Sequence, residues 1–192
     1  MADLLIKYPE VKFMSDELVD IIDKNGNIIG KKLKTEAHKT GDWHRGVHIW
    51  VIVDKKILLQ KRSNNKEIFP GRYDVSCAGH VKSGESYESA AIRELKEELG
   101  IKISLKDLKF IGTRPQITII KDKNIISREI IKIFLLNLDH LNNLLVNKDE
   151  ISEIKLFDID ELKRFLTNKP DMFTEDKEYF FDIINEIQKL NK

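Results

Sequence analysis

Short apolar runs separated by turn residues predict several β-strands from residue 17 onward. Runs at 17–23 and 27–33 flank Asn25-Gly26, a pair that tolerates the positive φ angles of a tight hairpin turn. Runs at 45–53 and 56–62 predict two further strands, joined by a short turn at Asp54-Lys55. The chain from residue 17 is therefore predicted to begin with two successive pairs of strands.

The period of the apolar residues changes between Ser86 and Leu99. Tyr87, Ala91 and Leu95 recur every fourth residue and lead to Leu99, which is the pattern of an amphipathic helix. Ser86 is suited to cap the start of this helix, and Gly100 is suited to end it.

The remaining segments predict more strands and two more helices. A capping-box pair, Asp158 and Glu161, precedes a short helix ending near Leu166, and a last helix starts near Thr174. Strands and helices alternate within one domain at 17–192, so the class is α/β or α+β with a mixed sheet. Residues 1–16 show no period and form a tail of unknown role. The further predicted strands are 73–81, 108–114, 128–138 and 153–157.

Composition narrows the class of protein without revealing its function. Hydrophobic residues make up 41% and charged residues 34% of the 192 residues, as expected for one globular domain. The formal charge of +1 argues against a broad nucleic-acid-binding surface. The single cysteine, Cys77, excludes an intramolecular disulfide. We see neither a signal peptide nor a membrane-spanning run, so we expect a cytoplasmic protein with no membrane partner.

The predicted helix at 86–99 concentrates negative charge. Glu94, Glu97 and Glu98 fall within an arc of roughly 100° around the helix axis. Their repulsion disfavours the helix unless a cation offsets it, and Mg²⁺ prefers such carboxylates together with substrate phosphates. A solvated acidic face is the simpler alternative, but Gly79 and Gly84 in the preceding loop favour a strand–loop–helix ion site.

Residues 79–101 match every position of the Nudix box, the motif of the Nudix hydrolase superfamily. The match comprises Gly79, Glu85, Arg93, Glu94, Leu95, Glu97, Glu98, Gly100 and Ile101. The resemblance extends over about residues 17–166. It implies an α/β/α sandwich around a mixed β-sheet. It also implies hydrolysis, with Mg²⁺ or Mn²⁺, of a diphosphate linkage in a nucleoside diphosphate derivative or related small molecule. It also allows a homodimer, since dimers are common in the superfamily.

The resemblance also implies roles for individual box residues. Glu94 and Glu98 are expected to be the main metal ligands, with the Gly79 carbonyl as a backbone ligand. Glu97 is a further ligand or the general base, and Arg93 and Glu85 support the helix. In this superfamily the base can instead come from a distant loop, and the candidates there are Glu150 and Glu153, although either could be a solvated loop charge.

Residues 34–80 are similar to a narrower group, the Nudix proteins related to type I isopentenyl diphosphate isomerase. That isomerase needs a cysteine directly before its Gly-His, metal-binding histidines and two later glutamates. Here Ala78 precedes Gly79-His80, and Cys77 is one step earlier, on the opposite face of a strand. Only Glu129 remains of the glutamate pair. Hydrolysis is therefore favoured, with isomerisation and a non-catalytic nucleotide-binding module as alternatives.

Other side chains have both a functional and an ordinary interpretation. His38, His44 and His80 occur near the isomerase's ligand positions. Histidines spaced like His38 and His44 are more often hydrogen-bonding loop residues than metal ligands. His48 is expected to be partly exposed, and Cys77 to be a small buried hydrophobic residue. Some aromatic side chains could stack on a nucleotide base, although core packing is favoured for Trp50 and Phe69. Some basic side chains could bind substrate phosphates. The candidates are Trp43, Trp50, Phe69 and Tyr73, and Lys61, Arg62 and Arg72.

Overall fold

A computed structural model describes residues 16–141 and 144–190, so the predicted tail lies outside the described residues except for its last residue. The described chain opens with the predicted hairpin, β1 (Leu18–Ile22) and β2 (Ile28–Leu33). A helix that the sequence did not predict follows it, α1 (Lys34–Thr40). This helix ends at Gly41, which adopts the left-handed conformation with φ 68°.

Seven further strands form one mixed sheet. Strand β3 runs through its middle, parallel to β8 on one side and antiparallel to β4 and β6 on the other. Strands β7 and β8 form a long antiparallel pair, and β9 and β5 pair with β4. The strands are β3 (Trp43–Val53), β4 (Lys56–Arg62), β5 (Tyr73–Asp74), β6 (Cys77–His80), β7 (Leu108–Ile120), β8 (Ile125–Leu138) and β9 (Ile151–Phe157).

Helices cover both faces of this sheet, which confirms the predicted α/β/α sandwich. One face packs against α2 (Tyr87–Leu99) through a core that includes Ile49 and Val51 of β3. The other face carries Trp50 and Ile52 and packs against α3 (Ile159–Asn168) and α4 (Lys177–Leu190). Successive residues of a strand point to opposite faces, so β3 supplies both cores. Within the described ranges, no helix combines the length and the apolar character needed to cross a membrane.

The boundaries of several elements differ from the prediction. The segment 73–81 contains two short strands, because Val75 and Ser76 leave the sheet between β5 and β6. The predicted strands 108–114 and 128–138 extend toward each other into a hairpin that closes near Asn124, with φ 52°. Pro115 is accommodated there because β7 is an edge strand.

The helix ends were predicted unevenly. Ser86 caps α2, since its side chain accepts a hydrogen bond from the Ser89 backbone N–H at 3.1 Å, and Gly100 ends the helix as expected. The capping box at α3 is wrong, because Asp158 makes no side-chain capping bond. Helix α4 begins at Lys177, three residues later than predicted.

Candidate active site

A loop between β6 and α2 connects the two ends of the glutamate-rich motif. Asp20 anchors this loop, since its carboxylate accepts hydrogen bonds from Ser83 Oγ at 2.7 Å and from the Gly84 backbone N–H at 3.0 Å. Arg45 donates to the same buried carboxylate at 2.7 Å and keeps it paired. The hairpin β1–β2 therefore holds the loop in place between Gly79 and α2.

Arg93 ties this loop to the helix. Its guanidinium donates to the two oxygens of Glu85 at 3.0 and 2.9 Å and to the carbonyl oxygen of His80 at 2.9 Å. It also donates to Glu94 at 2.7 Å and to Glu97 at 3.1 Å. Arg93 thus fixes Glu85 and two of the three box glutamates on α2, as a supporting residue would.

Glu94 and Glu98 are buried carboxylates, and each residue is 7% exposed. A Cβ atom at position 79 would lie 2.1 Å from Glu94 Oε1, so only glycine leaves room for this carboxylate. Burial raises the pKa of both carboxyl groups, Arg93 opposes the rise at Glu94, and the charge of Glu94 adds to it at Glu98. A bound cation would lower both pKa values and stabilise the charged pair, so these residues fit a metal ion.

A cavity of about 190 Å³ lies beside these glutamates. Side chains from β3, β6, β7 and β8 contribute to its surface, together with the segments 62–69 and 174–175. Glu94, Glu97 and Glu98 of α2 line this cavity together with Gly79. It therefore brings the predicted metal ligands into contact with space for a small molecule.

Three histidines and one glutamate meet in the same region. His38 comes from α1, His44 from the start of β3, His80 from the end of β6 and Glu129 from β8, and their ligand atoms lie within 4.8 Å of one another. The three ring centroids are 5.2 to 5.4 Å apart. A Cβ atom at Gly46 would lie 2.4 Å from Glu129 Oε2, so a glycine in β3 makes room for this carboxylate.

Two of the three histidines present a ring nitrogen that is free to bind a metal, whereas Nε2 of His38 lies 3.3 Å from Ser127 Oγ. Nδ1 of His44 lies 3.0 Å from the Asp42 carbonyl oxygen, which can only accept, so Nδ1 carries the proton and Nε2 keeps its lone pair. Nε2 of His44 and of His80 are buried without hydrogen-bond partners in the described part of the chain. Burial lowers the pKa of His38 and His80, so both rings are neutral at pH 7. These residues fit a metal ion.

The two candidate bases outside the box lie in different surroundings. Glu150 lines the cavity and forms an ion pair with Lys66. Glu153 is not among the residues that line the cavity, and its carboxylate accepts from Tyr73 Oη at 3.2 Å and lies 3.8 Å from Lys61 Nζ. The geometry therefore favours Glu150 over Glu153 as a residue that reaches a substrate.

The cysteine is not among the residues that line the cavity, although it lies on the same face of the sheet as Gly79 and α2. Cys77 is 0% exposed and packs in the core beneath α2, as expected for a small hydrophobic residue, and burial raises the pKa of its thiol. Ala78 faces the cavity instead and pairs with His48 across the strands. The position that holds the isomerase's cysteine thus carries a methyl group.

His48 is buried, so the prediction that it is partly exposed is wrong. Its Nδ1 lies 2.8 Å from the hydroxyl oxygen of Tyr179, and the residue is 6% exposed. Tyr179 belongs to α4, which covers this face of the sheet. The alternation within β3 shows that His48 and Val47 face opposite ways, but it cannot show that both faces are covered.

The predicted stacking and phosphate-binding side chains divide into two groups. Phe69 and Arg62 line the cavity, which corrects the preference for Phe69 as a core residue. Trp50 and Tyr73 belong to the core. The cavity surface does not include Trp43, Lys61 or Arg72.

Several cavity residues carried no motif that sequence inspection could find. Lys66, Asp74, Gln116 and Glu175 come from four separate segments, and each contributes one polar group. Asp74 and Gln116 stand next to apolar residues of strands, which was the one signal available. Only the fold brings them together.

Comparison with known proteins identifies the family. The NUDIX domain model matches residues 42–182. A protein of Photorhabdus laumondii named isopentenyl-diphosphate Delta-isomerase 2 is 35% identical over 171 residues, which cover 88% of this chain and 92% of that protein. Nudix hydrolase 3 of Arabidopsis thaliana is 35% identical over 147 residues, or 73% of this chain, but the match spans only 19% of the Arabidopsis protein.

A solved structure shows the same fold. The crystal structure of a Deinococcus radiodurans protein matches with a TM-score of 0.59 and 25% identity, covering 79% of this chain and 89% of that one. The match to the family model spans most of the chain and includes the helix with Glu94, Glu97 and Glu98. The chain belongs to the NUDIX family.

Proposed function

We propose that this protein hydrolyses a diphosphate linkage in a small molecule with the help of divalent metal ions. One observation carries the proposal: three carboxylates of the complete box lie along one cavity, next to a glycine whose missing side chain makes room for Glu94. Mg²⁺ or Mn²⁺ held there would neutralise phosphate oxygens and lower the pKa of a water molecule. The chain's own residues would hold the diphosphate and orient the water for in-line attack.

The cavity supplies the other groups that this reaction needs. Arg62 and Lys66 line it and can attract phosphate oxygens, because both side chains are cationic. Glu150 lies beside Lys66 and is the base that we favour, with Glu97 as the candidate within the box. The water oxygen then forms a bond to one phosphorus while its proton passes to the base. The bond from that phosphorus to the bridging oxygen breaks, and the other phosphate leaves with the bridging oxygen.

A panel of diphosphates with Mg²⁺ or Mn²⁺ tests the proposal. We expect release of phosphate or of a monophosphate, and we expect Glu94→Gln and Glu98→Gln each to lower kcat by about 100-fold or more. Glu88→Gln is the matched control, because Glu88 lies on the same helix but pairs with Lys132 outside the cavity. Full activity in both box variants would refute the assignment.

We also propose that the cluster of His38, His44, His80 and Glu129 holds a second metal ion. Imidazole nitrogens with one carboxylate suit a transition metal such as Zn²⁺ better than Mg²⁺. The buried lone pairs of His44 and His80 support this assignment. Zinc analysis after dialysis should find one equivalent of Zn²⁺ in the wild type and none in His44→Gln, while His140→Gln, at an exposed histidine, should keep it.

Isomerisation of isopentenyl diphosphate is the second candidate function. The histidine cluster and the match to the Photorhabdus protein over nearly its full length favour it. The buried position of Cys77 and the methyl group of Ala78 in the cavity oppose it. Conversion of isopentenyl diphosphate to its isomer by the wild type, lost in Cys77→Ala, would reverse this order.

A further inference from the structure

One wall of the cavity consists of polar side chains that belong neither to the box nor to the histidine cluster. Asp74 comes from β5, Gln116 from β7, and Thr174 and Glu175 from the segment before α4. We call these four residues the polar wall. They line the same cavity as the box glutamates and the histidines His38 and His80.

The residues of the polar wall hydrogen-bond to one another, and two of their carboxylate and amide oxygen atoms accept no hydrogen bond from any described residue. Gln116 Nε2 donates to Glu175 Oε1 at 2.8 Å, and Thr174 Oγ1 donates to Asp74 Oδ1 at 2.8 Å. Oε1 of Gln116 is buried and has no hydrogen-bond partner in the described ranges. Oε2 of Glu175 has the Arg114 guanidinium at 3.8 Å, which is too long for a hydrogen bond.

Such acceptors make the wall a poor surface for an alkyl chain. A buried oxygen without a donor is unfavourable, and an apolar group placed against it would leave it without water as well. A hydroxyl group would donate to it. None of the four wall residues is a cation, and the carboxylates of Asp74 and Glu175 already lie beside Arg62 and Arg114. The wall therefore offers an anionic group no counter-charge of its own, and the complementary ligand is neutral and hydroxylated.

The strand register places the wall near the metal-binding side chains. Gln116 on β7 lies directly opposite Glu129 on β8, and paired side chains across strands are about 5 Å apart. A substrate could therefore place its phosphate oxygens at the metal-binding side chains and a hydroxyl group, a few bonds away, at the polar wall.

We propose that the group attached to the diphosphate is hydroxylated, as a sugar is, and that Gln116 and Glu175 determine this specificity. The inference rests on the proposed hydrolysis and adds the class of substrate to it. It predicts that alkyl diphosphates, including isopentenyl diphosphate, are poorer substrates than diphosphates that carry a sugar.

Gln116→Leu tests the inference, because leucine keeps a similar shape and removes both polar atoms. We expect KM for ADP-ribose or UDP-glucose, whichever the wild type hydrolyses better, to rise on the order of tenfold with kcat little changed. KM for isopentenyl diphosphate should stay the same or fall. Gln188→Leu is the matched control, since Gln188 is exposed on α4 and bonds to Lys163.

The outcomes separate the inference from the proposed function. A wild type that hydrolyses isopentenyl diphosphate more efficiently than both sugar diphosphates, or a Gln116→Leu variant with equal effects on all three, would overturn the inference and leave hydrolysis intact. Absence of hydrolysis of every diphosphate would overturn the proposed function. Calorimetric binding of ADP-ribose, UDP-glucose and isopentenyl diphosphate would then decide the inference by the same ranking and the same loss in Gln116→Leu.

Discussion

Gly79 and Glu94 occupy adjoining space so closely that a Cβ atom at position 79 would lie 2.1 Å from the Glu94 carboxylate. The strand β6 and the helix α2 can therefore approach each other this closely only because residue 79 has no side chain. Glu94 is also fixed from its other side by Arg93, so it cannot move away without losing that bond.

Gly79→Ala should abolish most of the activity while the protein remains folded. The added methyl group would displace Glu94, and a shift of about 1 Å in a reacting group can cost about 100-fold in rate. Activity on the best diphosphate and thermal unfolding measure the two effects. Gly112→Ala is the control, because a Cβ atom there would meet nothing within 4 Å, and an equal loss in both variants would contradict the explanation.

Glu150→Gln should lower kcat by about 100-fold or more if Glu150 is the base, because general-base catalysis contributes about that much. Glu153→Gln should change kcat by less than about threefold. Glu153 is bonded to Tyr73 away from the cavity, so it serves as the comparison. Steady-state kinetics at several pH values would decide, and a larger effect of Glu153→Gln than of Glu150→Gln would favour Glu153, the other distant candidate, as the base.

The native thiol should be inert toward a thiol reagent such as DTNB. Cys77 is fully buried and its pKa is raised by burial, so it should react only when the protein unfolds. Ala78→Cys should add one thiol per chain that reacts in the folded state, because position 78 faces the cavity. Rapid reaction of the wild-type protein would show that β6 is not arranged in this way.

Glu175 should make the stability of the protein depend on pH. Burial and the nearby Asp74 raise the pKa of Glu175 to about 7, while Arg114 and the hydrogen bond from Gln116 oppose the rise and Asp176 adds to it. The folded protein thus binds this proton more tightly than the unfolded chain, in which the pKa of a glutamate carboxyl group has its ordinary value of 4.5. The stabilisation is complete below about pH 4.5 and is lost as the pH rises to about 7.

Glu175→Gln removes this loss, so the variant should be more stable than the wild type at pH 8, by about 3 kcal/mol at most. The difference should shrink toward pH 5. Urea unfolding at both pH values measures it, with Glu178→Gln as the control because that side chain is 71% exposed. A constant difference at both pH values would mean that another group is responsible.

The regular part of the fold was predictable because its signals are local. The helix α2 is indicated by apolar residues at every fourth position, a serine cap and a terminal glycine, and all three features are found in the structure. The helix α1 was missed because it spans only seven residues and buries one of them, Ala37, so it leaves no periodic pattern. Its formation depends on contacts with β1, β2 and β8.

The site was predictable only where it is contiguous in the chain. The box places its carboxylates within one helix, so spacing alone indicates a shared function. His44, His80 and Glu129 converge because β3 pairs with β6 on one side and with β8 on the other, and α1 adds His38 to them. Pairing of this kind is set by tertiary packing, and a single sequence carries no direct record of it.

Strand β3 connects the histidine cluster with the interior of the cavity by its own backbone. His44 and His48 point to the same face four residues apart, which corresponds to about 13 Å along a strand. Side chains of a strand alternate between its two faces, so one residue inserted between His44 and His48 would turn one of the two rings to the opposite face. The distance between the rings therefore cannot change by a single residue. The strand therefore fixes this dimension of the site, and insertions could enlarge the cavity only in the segments around the strand that also line it, such as 62–69 and 174–175.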